Sequence, residues 1–556
     1  MCSSDLYLES VQRRDTPDPE VAYYLGLAYA GQGNDRKAIT NFETARRLPD
    51  FYAAGSLKLG EIYAREHDLK QAQRYLAEAL HRAPANARAA EELAEVQRVA
   101  GERESARSLA NDWLSRLPDD YFLHEELGNA DLTHLAADPY RVLNIASQYI
   151  RLGFYEQALR VLSRIYPAVP SDQSEPGSVL PQNHALVAYF RAWCRQKLGQ
   201  PAAAEYAQAS KLSTQYVFPN TAEALQVLHA ALQVNPQDAS AHYLLGTFYF
   251  SRGLTDAAIS EWTNARDAKA NIPVLDASLG LALMRIKREP AAALKIFRDG
   301  LSSDPTNDEI YFGLDQALSL TKAPASERAS ALERYPDSAH MPVALVYELA
   351  LNRAEAGDFK GALALFHNRY FPRKEGGTNV RQVWLEVRLQ QALASARNHN
   401  CPAALQQAEH LGEPVSDLEF TQNGLEPFLK SARTKYLLGA IQSECGQPQQ
   451  AAENFRSAVQ NAGPADLIWA RAAAKKLGDS DDAKWTTRIR AELDHLRAQH
   501  AAGESSSWSL YRSGVLAWLV GEKDTAEADF QDALLLPDRS LAWHYIRVAR
   551  TGELPD

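Results

Sequence analysis

The chain has 556 residues, 46% of them hydrophobic, and a formal charge of −11. Acidic and basic residues are mixed along it, which argues against nonspecific nucleic-acid binding and against an anionic membrane surface, since both need a basic face. No run of about 18 apolar residues offers a membrane-spanning helix. The four cysteines, Cys2, Cys194, Cys401 and Cys445, contain no close pair of the kind used by zinc ribbons or thioredoxin-like motifs; they read as single thiols on helices, not as a disulfide framework.

A short pattern organises the first third of the chain: Leu25-Gly26, Tyr29, Ala38, Phe42, Ala45 and Pro49. It returns as Leu59-Gly60, Tyr63, Ala72, Leu76, Ala79 and Pro84, then from Leu93-Ala94 and from Leu127-Gly128, a step of 34 residues each time. Glycine at the eighth position and alanine at the twentieth let two antiparallel helices, A and B, approach closely. Proline at the end of helix B stops it, and Gly31-Gln32-Gly33-Asn34-Asp35 supplies turn chemistry between them. A fixed period of 34 with small residues at set offsets resembles the tetratricopeptide repeat family. That resemblance implies an all-α, right-handed α-solenoid of about a dozen helix pairs.

In this register the first full unit starts near Pro19, and residues 1–18 read as the remnant of a truncated repeat, with Leu6 to Arg14 left from a second helix. Met1 to Leu6 has no basic start and no apolar stretch after it, so it does not read as a signal peptide; the compartment stays open, because a truncation takes any targeting signal with it. Residues 19–170 are the N-terminal repeats, interrupted between Asp131 and Pro139. An irregular helical connection (171–236) precedes central repeats (237–366), where Leu245-Gly246, Tyr249, Ala258 and Trp262 recur 34 residues on at Leu279-Gly280. The stretch from Tyr311 to Leu332 is degenerate. Residues 367–430 hold a nonrepeat loop and long helices. Residues 431–556 are C-terminal repeats ending in a closing helix, Leu541 to Arg550, over the final apolar face.

No H-E-x-x-H, G-x-S-x-G, Walker or glycine-rich dinucleotide motif occurs, so no catalytic, cofactor or metal residue is assigned. His124-Glu125-Glu126 reads as a surface histidine on an A helix. The family resemblance implies that partners dock on the concave surface built by A helices. One subset of the family grips chaperone C-terminal tails with Lys at the fifth position and Asn at the ninth. Here the fifth position is Tyr23, Leu57, Tyr243, Tyr436 and Tyr511, and the ninth is Leu27, Glu61, Thr247, Ala440 and Val515; capture of a chaperone tail is therefore disfavoured. The repeated Tyr23, Tyr243, Tyr436 and Tyr511 are candidate partner contacts. So are Arg369, Arg373, Lys374 and Glu375 in the nonrepeat loop, beside two glycines that let a backbone approach.

Asn368 to Pro372, Glu375-Gly376-Gly377 and Gly424 to Phe428 resemble uncharacterised bacterial proteins that join a β-rich, carbohydrate-module-like region to a tetratricopeptide array. That likeness, over residues 366–430, implies that the chain is the helical half of a longer carbohydrate-processing or carbohydrate-binding protein, with carbohydrate reached through a missing N-terminal domain. The leading expectation is a noncatalytic scaffold for a protein or peptide. The alternatives are that helical half and an α/α-toroid enzyme acting on polysaccharides.

Overall fold

The computed structural model describes residues 18–170, 179–268, 272–372, 378–479, 481–536 and 541–550. Among the described residues every regular element is helical, and no helix is long and apolar enough to cross a membrane. The chain divides into two compact units, 1–272 and 273–556.

The first unit runs through α1 (Pro19–Gly31), α2 (Asp35–Ala45), α3 (Pro49–Arg65), α4 (Leu69–Arg82), α5 (Ala87–Val99), α6 (Arg103–Leu114), α7 (Tyr121–Leu127), α8 (Leu132–Ala136), α9 (Pro139–Arg151), α10 (Tyr155–Leu162), α11 (Ala185–Lys197), α12 (Ala203–Ala209), α13 (Ala222–Val234), α14 (Ala239–Ser251) and α15 (Thr255–Asp267). The helices start where short polar side chains cap them. Asn34, Asp68, Asn86, Asp120 and Asp238 each accept a backbone N–H from the first turn that follows, satisfying a donor that the helix leaves orphaned.

In three pairs of this unit the A helix lies on its B helix through glycine, at Gly26, Gly60 and Gly246; Ala94 takes that place on α5. A Cβ on Gly26 would lie 2.6 Å from the Phe42 ring, and one on Gly246 would lie 2.5 Å from Trp262 and 3.1 Å from the Ala258 carbonyl. The side chain at the twenty-fourth position thus fills the space that glycine leaves. The break after Gly128 comes from its left-handed backbone, φ 73°, which ends α7 after seven residues and lets the five-residue α8 intervene. The unit also folds back on itself: the Arg65 guanidinium on α3 donates to the Arg151 carbonyl ending α9 (3.0 Å) while pairing with Asp35 (3.0 Å).

The second unit runs through α16 (Leu275–Arg285), α17 (Pro290–Ser303), α18 (Asp308–Leu320), α19 (Ala325–Leu332), α20 (Val343–Glu355), α21 (Phe359–Ala364), α22 (Val380–Arg397), α23 (Cys401–Glu409), α24 (Glu426–Leu429), α25 (Ala432–Glu444), α26 (Pro448–Asn461), α27 (Leu467–Lys476), α28 (Asp482–Ala501), α29 (Ser507–Leu519), α30 (Lys523–Leu535) and α31 (Leu541–Val548). The stretch from Tyr311 to Leu332, degenerate as sequence, is a regular pair, α18 and α19. Gly313 there rests its Cα on the Phe297 ring of α17, where a Cβ would lie 2.3 Å away. The same packing device persists in a shifted register.

This unit closes on itself. Gln316 on α18 donates its side-chain amide to the Leu534 carbonyl on α30, and Arg288, just after α16, pairs with Asp532 at 2.8 Å. A core cluster runs from Tyr347 to Ala549.

The cysteine reading needs a correction. Cys401 and Cys445 form a disulfide, with Cα atoms 5.3 Å apart. Cys401 opens α23 and Cys445 caps α25, so the bond clips the second helix of one pair to the first helix of the next. The two are 44 residues apart, because the irregular segment between α23 and α25 lengthens the step; no local spacing announces such a contact. Cys194 stays a buried free thiol, its pKa raised by burial and by Glu205.

Candidate functional site

Side chains of α20, α22, α25 and α29 form the face of the second unit that holds α31, its inner face, and Trp543 of α31 also donates to the Ala533 carbonyl of α30 at 3.3 Å. Six of the eight residues of α31 are buried: Leu541, Ala542, Trp543, His544, Ile546 and Arg547. His544, 1% exposed, places Nδ1 2.8 Å from Glu355 Oε1 and Nε2 3.1 Å from Glu386 Oε1. Two carboxylates on the two ring nitrogens require both to donate, which is the imidazolium form. Burial opposes that charge, but the hydrogen bonds from Glu355 and Glu386 outweigh it and raise the His544 pKa.

The surrounding charges interlock. Arg547 Nε donates to Glu355 Oε1 at 3.0 Å, and its Nη2 stands 3.6 Å from Glu348 Oε2. Arg328 bonds Glu355 and, at 2.6 Å, the Asn352 side chain, which in turn donates to Asp315 at 2.8 Å. Arg433 grips Glu386 with two nitrogens, one at 2.8 Å, and its guanidinium covers the Tyr545 ring at 4.6 Å. Burial alone would raise the Glu386 carboxyl, yet Arg433 and His544 hold it down at about 2. Glu355 is likewise lowered by Arg547 and Arg328 against its burial. Glu348, 1% exposed, moves the other way, to about 7, because burial, helped by Asp315 and Glu355, outweighs Arg547 and Arg328.

Cavities open at both ends of α31. One of about 480 Å³ is bounded by Trp469, Trp508, Tyr511, Tyr545, Glu386 and Asp466. The other, about 1170 Å³, is bounded by Lys322, Arg328, Glu355, Arg397, Arg547 and Arg550. Trp508 at the first cavity remains 41% exposed, with its ring 5.4 Å from Tyr511 and 5.8 Å from Tyr545.

Of the candidate partner contacts among the described residues, Tyr511 borders one of these cavities, and it is buried against Phe530 and Tyr545. Tyr436 packs on Phe455 and Trp469. Tyr23 packs on Phe42 and Phe51. Tyr243 is buried, its carbonyl taking the Trp262 indole N–H at 3.2 Å. Arg369 donates to the Met341 carbonyl at 2.8 Å and to the Ser338 carbonyl, stapling its loop. Arg373, Lys374 and Glu375 lie outside the described residues, as does the segment Leu6 to Arg14. The buried ion network around His544 escaped the sequence reading. Its local trace is Glu348, set within the otherwise apolar run from Val343 to Leu351 of α20.

The first unit holds a second ionic layer, on α3, α5 and α7. Arg98 holds Glu95 (2.7 Å) and Glu126 (2.8 Å), and Arg88 holds Glu92 (2.8 Å) and Glu61. Glu91, Glu92 and Glu95 are buried. Burial, then Asp120, lifts Glu91 to about 8; burial, then Glu61, lifts Glu92 to about 7; burial and a hydrogen bond shared with Glu126 lift Glu95 to about 10. No group of three or more His, Cys, Asp or Glu suited to a metal occurs among the described residues.

Residues 57–121 and 220–272 match the family model described as tetratricopeptide repeat. The chain carries tetratricopeptide repeats. No curated protein matches it. Among solved structures, a Naa15/Naa10 complex bound to HypK-THB has a chain 13% identical, covering 99% of this chain and 88% of its own, with a TM-score of 0.23. Yeast Tom70 is 11% identical over 96% of this chain and 95% of its own, at 0.22. A human IFIT1 dimer with m7Gppp-AAAA is 13% identical over 80% and 89%, also at 0.22. Likeness at that level says nothing of a shared function.

Proposed function

We propose that the protein is a noncatalytic tetratricopeptide scaffold that holds a protein or peptide partner on the inner faces of its A helices. One observation carries this reading: the inner face of the second unit already grips a helix, through buried ion pairs and aromatic contacts, in the manner of helix-in-groove recognition. The test is capture of partners by the purified full chain, compared with Trp508→Ala. Trp508 is 41% exposed beside the cavity; its removal takes away ring contacts to Tyr511 and Tyr545 and spares the buried ion pairs, so an unchanged melt of the variant accompanies the comparison. A partner recovered by the parent and lost by the variant supports the reading. Equal recovery by both, or turnover of a glycan by the purified chain, overturns it.

A second reading is favoured by the 480 Å³ cavity, whose size suits a small ligand. Indole and phenol faces beside Glu386 and Asp466 offer stacking and hydrogen bonds together, the chemistry of a sugar ring. Under this reading the chain is the helical half of a carbohydrate-binding protein, and Trp508→Ala abolishes binding on a glycan array. An array on which the parent binds nothing removes it.

A further inference from the structure

We propose that the inner face of the second unit is a receptor groove for an amphipathic helix of another protein bearing two cationic side chains three residues apart, and that α31 fills this groove in cis until such a helix displaces it. The inference rests on the scaffold reading and names its partner's chemistry.

Three observations carry it. The first is how α31 is held. With six of eight residues buried, it is enclosed on nearly all sides rather than along one stripe, and an ordinary surface helix buries only a stripe. The second is charge. Without α31, the carboxyl groups of Asp315, Glu348, Glu355 and Glu386 face the guanidiniums of Arg328 and Arg433 alone. Buried carboxylates left short of cations are costly. His544 and Arg547, at i and i+3 on one helical face, bring the two further cations, and both land on Glu355. The third is length. A helix of eight residues spans about 12 Å, and the groove continues past it into cavities of about 480 and 1170 Å³ at its ends. A longer helix of the same charge pattern extends toward Trp469 at one end and Lys322 at the other.

The probe is a fluorescein-labelled peptide of residues 541–550, followed by anisotropy against the full chain and against a chain ending at residue 536. The shortened chain is expected to bind the peptide at least about tenfold more tightly than the full chain does, a gap of about 1.4 kcal/mol. It is also expected to prefer the peptide at least about tenfold over one carrying His544→Glu and Arg547→Glu. A folded shortened chain that binds neither peptide, or both alike, overturns the proposal. Should the shortened chain lack a cooperative melt, the same substitutions are made in the full chain, where they expel α31 by placing carboxylates against Glu355 and Glu386. That variant is expected to gain binding of the parent peptide, and no gain overturns the proposal. A full chain that elutes as a dimer and returns to monomer on loss of α31 also overturns it, in favour of exchange between copies. If the peptide fails while Trp508-dependent capture persists, this inference falls and the scaffold reading stands.

Discussion

Gly246 shows how little freedom single positions have in this chain. A side chain there meets the Trp262 ring on one side and the Ala258 carbonyl on the other, and neither yields without moving a helix. Gly246→Leu is expected to lower stability by about 1–3 kcal/mol through overpacking, read as a drop in thermal midpoint; an unchanged midpoint contradicts the packing. The buried carboxyls of the first unit set a pH dependence at the same scale. Glu91 and Glu92 hold protons up to about 8 and 7 in the fold, against the ordinary value of 4.5. Their folded pKa values are raised, so their contribution is complete below that ordinary value and is lost as the pH climbs through 7 and 8. Melts between pH 5 and pH 8.5 are expected to show the first unit losing stability. Glu91→Gln and Glu92→Gln together, which fix the neutral form, are expected to flatten that slope.

At the scale of elements, the disulfide between α23 and α25 closes a loop of 44 residues. Restricting the unfolded chain by that much is worth about 2–4 kcal/mol, so Cys401→Ser with Cys445→Ser, or reductant on the parent, is expected to lower the second unit's midpoint. A non-reducing peptide map showing both thiols free contradicts the bond. The seat of α31 is the other test. Glu386 is held at about 2 by Arg433 and His544; being depressed, its contribution is present above the ordinary carboxyl value and is lost as pH falls toward 2. Glu386→Gln leaves Arg433 and His544 facing each other without their anion. Breaking a buried ion pair from one side costs about 3–5 kcal/mol, to be measured by denaturant unfolding.

The same elements show what a sequence discloses. The pairs from α1 to α6, and α14 with α15, were legible because glycine and alanine recur at positions whose only purpose is close approach. The pair α18 and α19 was not, since its glycine sits on a ring from the preceding pair instead of its own. The ion network was hidden for a physical reason: His544, Glu355 and Glu386 are up to 189 residues apart in sequence, and only closure of the unit brings them together. The tyrosines at the fifth position were visible as a recurrence, but their rings serve neighbouring helices as much as any open surface.

For the whole molecule, the two compact units predict two calorimetric transitions in the full chain, since separate cores unfold with separate cooperativity. Reductant is expected to move one and spare the other, because Cys401 and Cys445 both lie in the second unit. One transition, shifted whole by reductant, contradicts the division. The closure of the second unit has a further consequence. An open array of repeats tolerates the gain or loss of a unit, since each touches only its neighbours. Here Gln316 reaches Leu534, Arg288 reaches Asp532, and His544 reaches Glu355. A duplication or deletion of one helix pair between them slides every one of these partners out of reach. The second half of this protein therefore inherits its number of repeats as a fixed quantity, and relatives that keep these contacts should differ in loop length, never in repeat count.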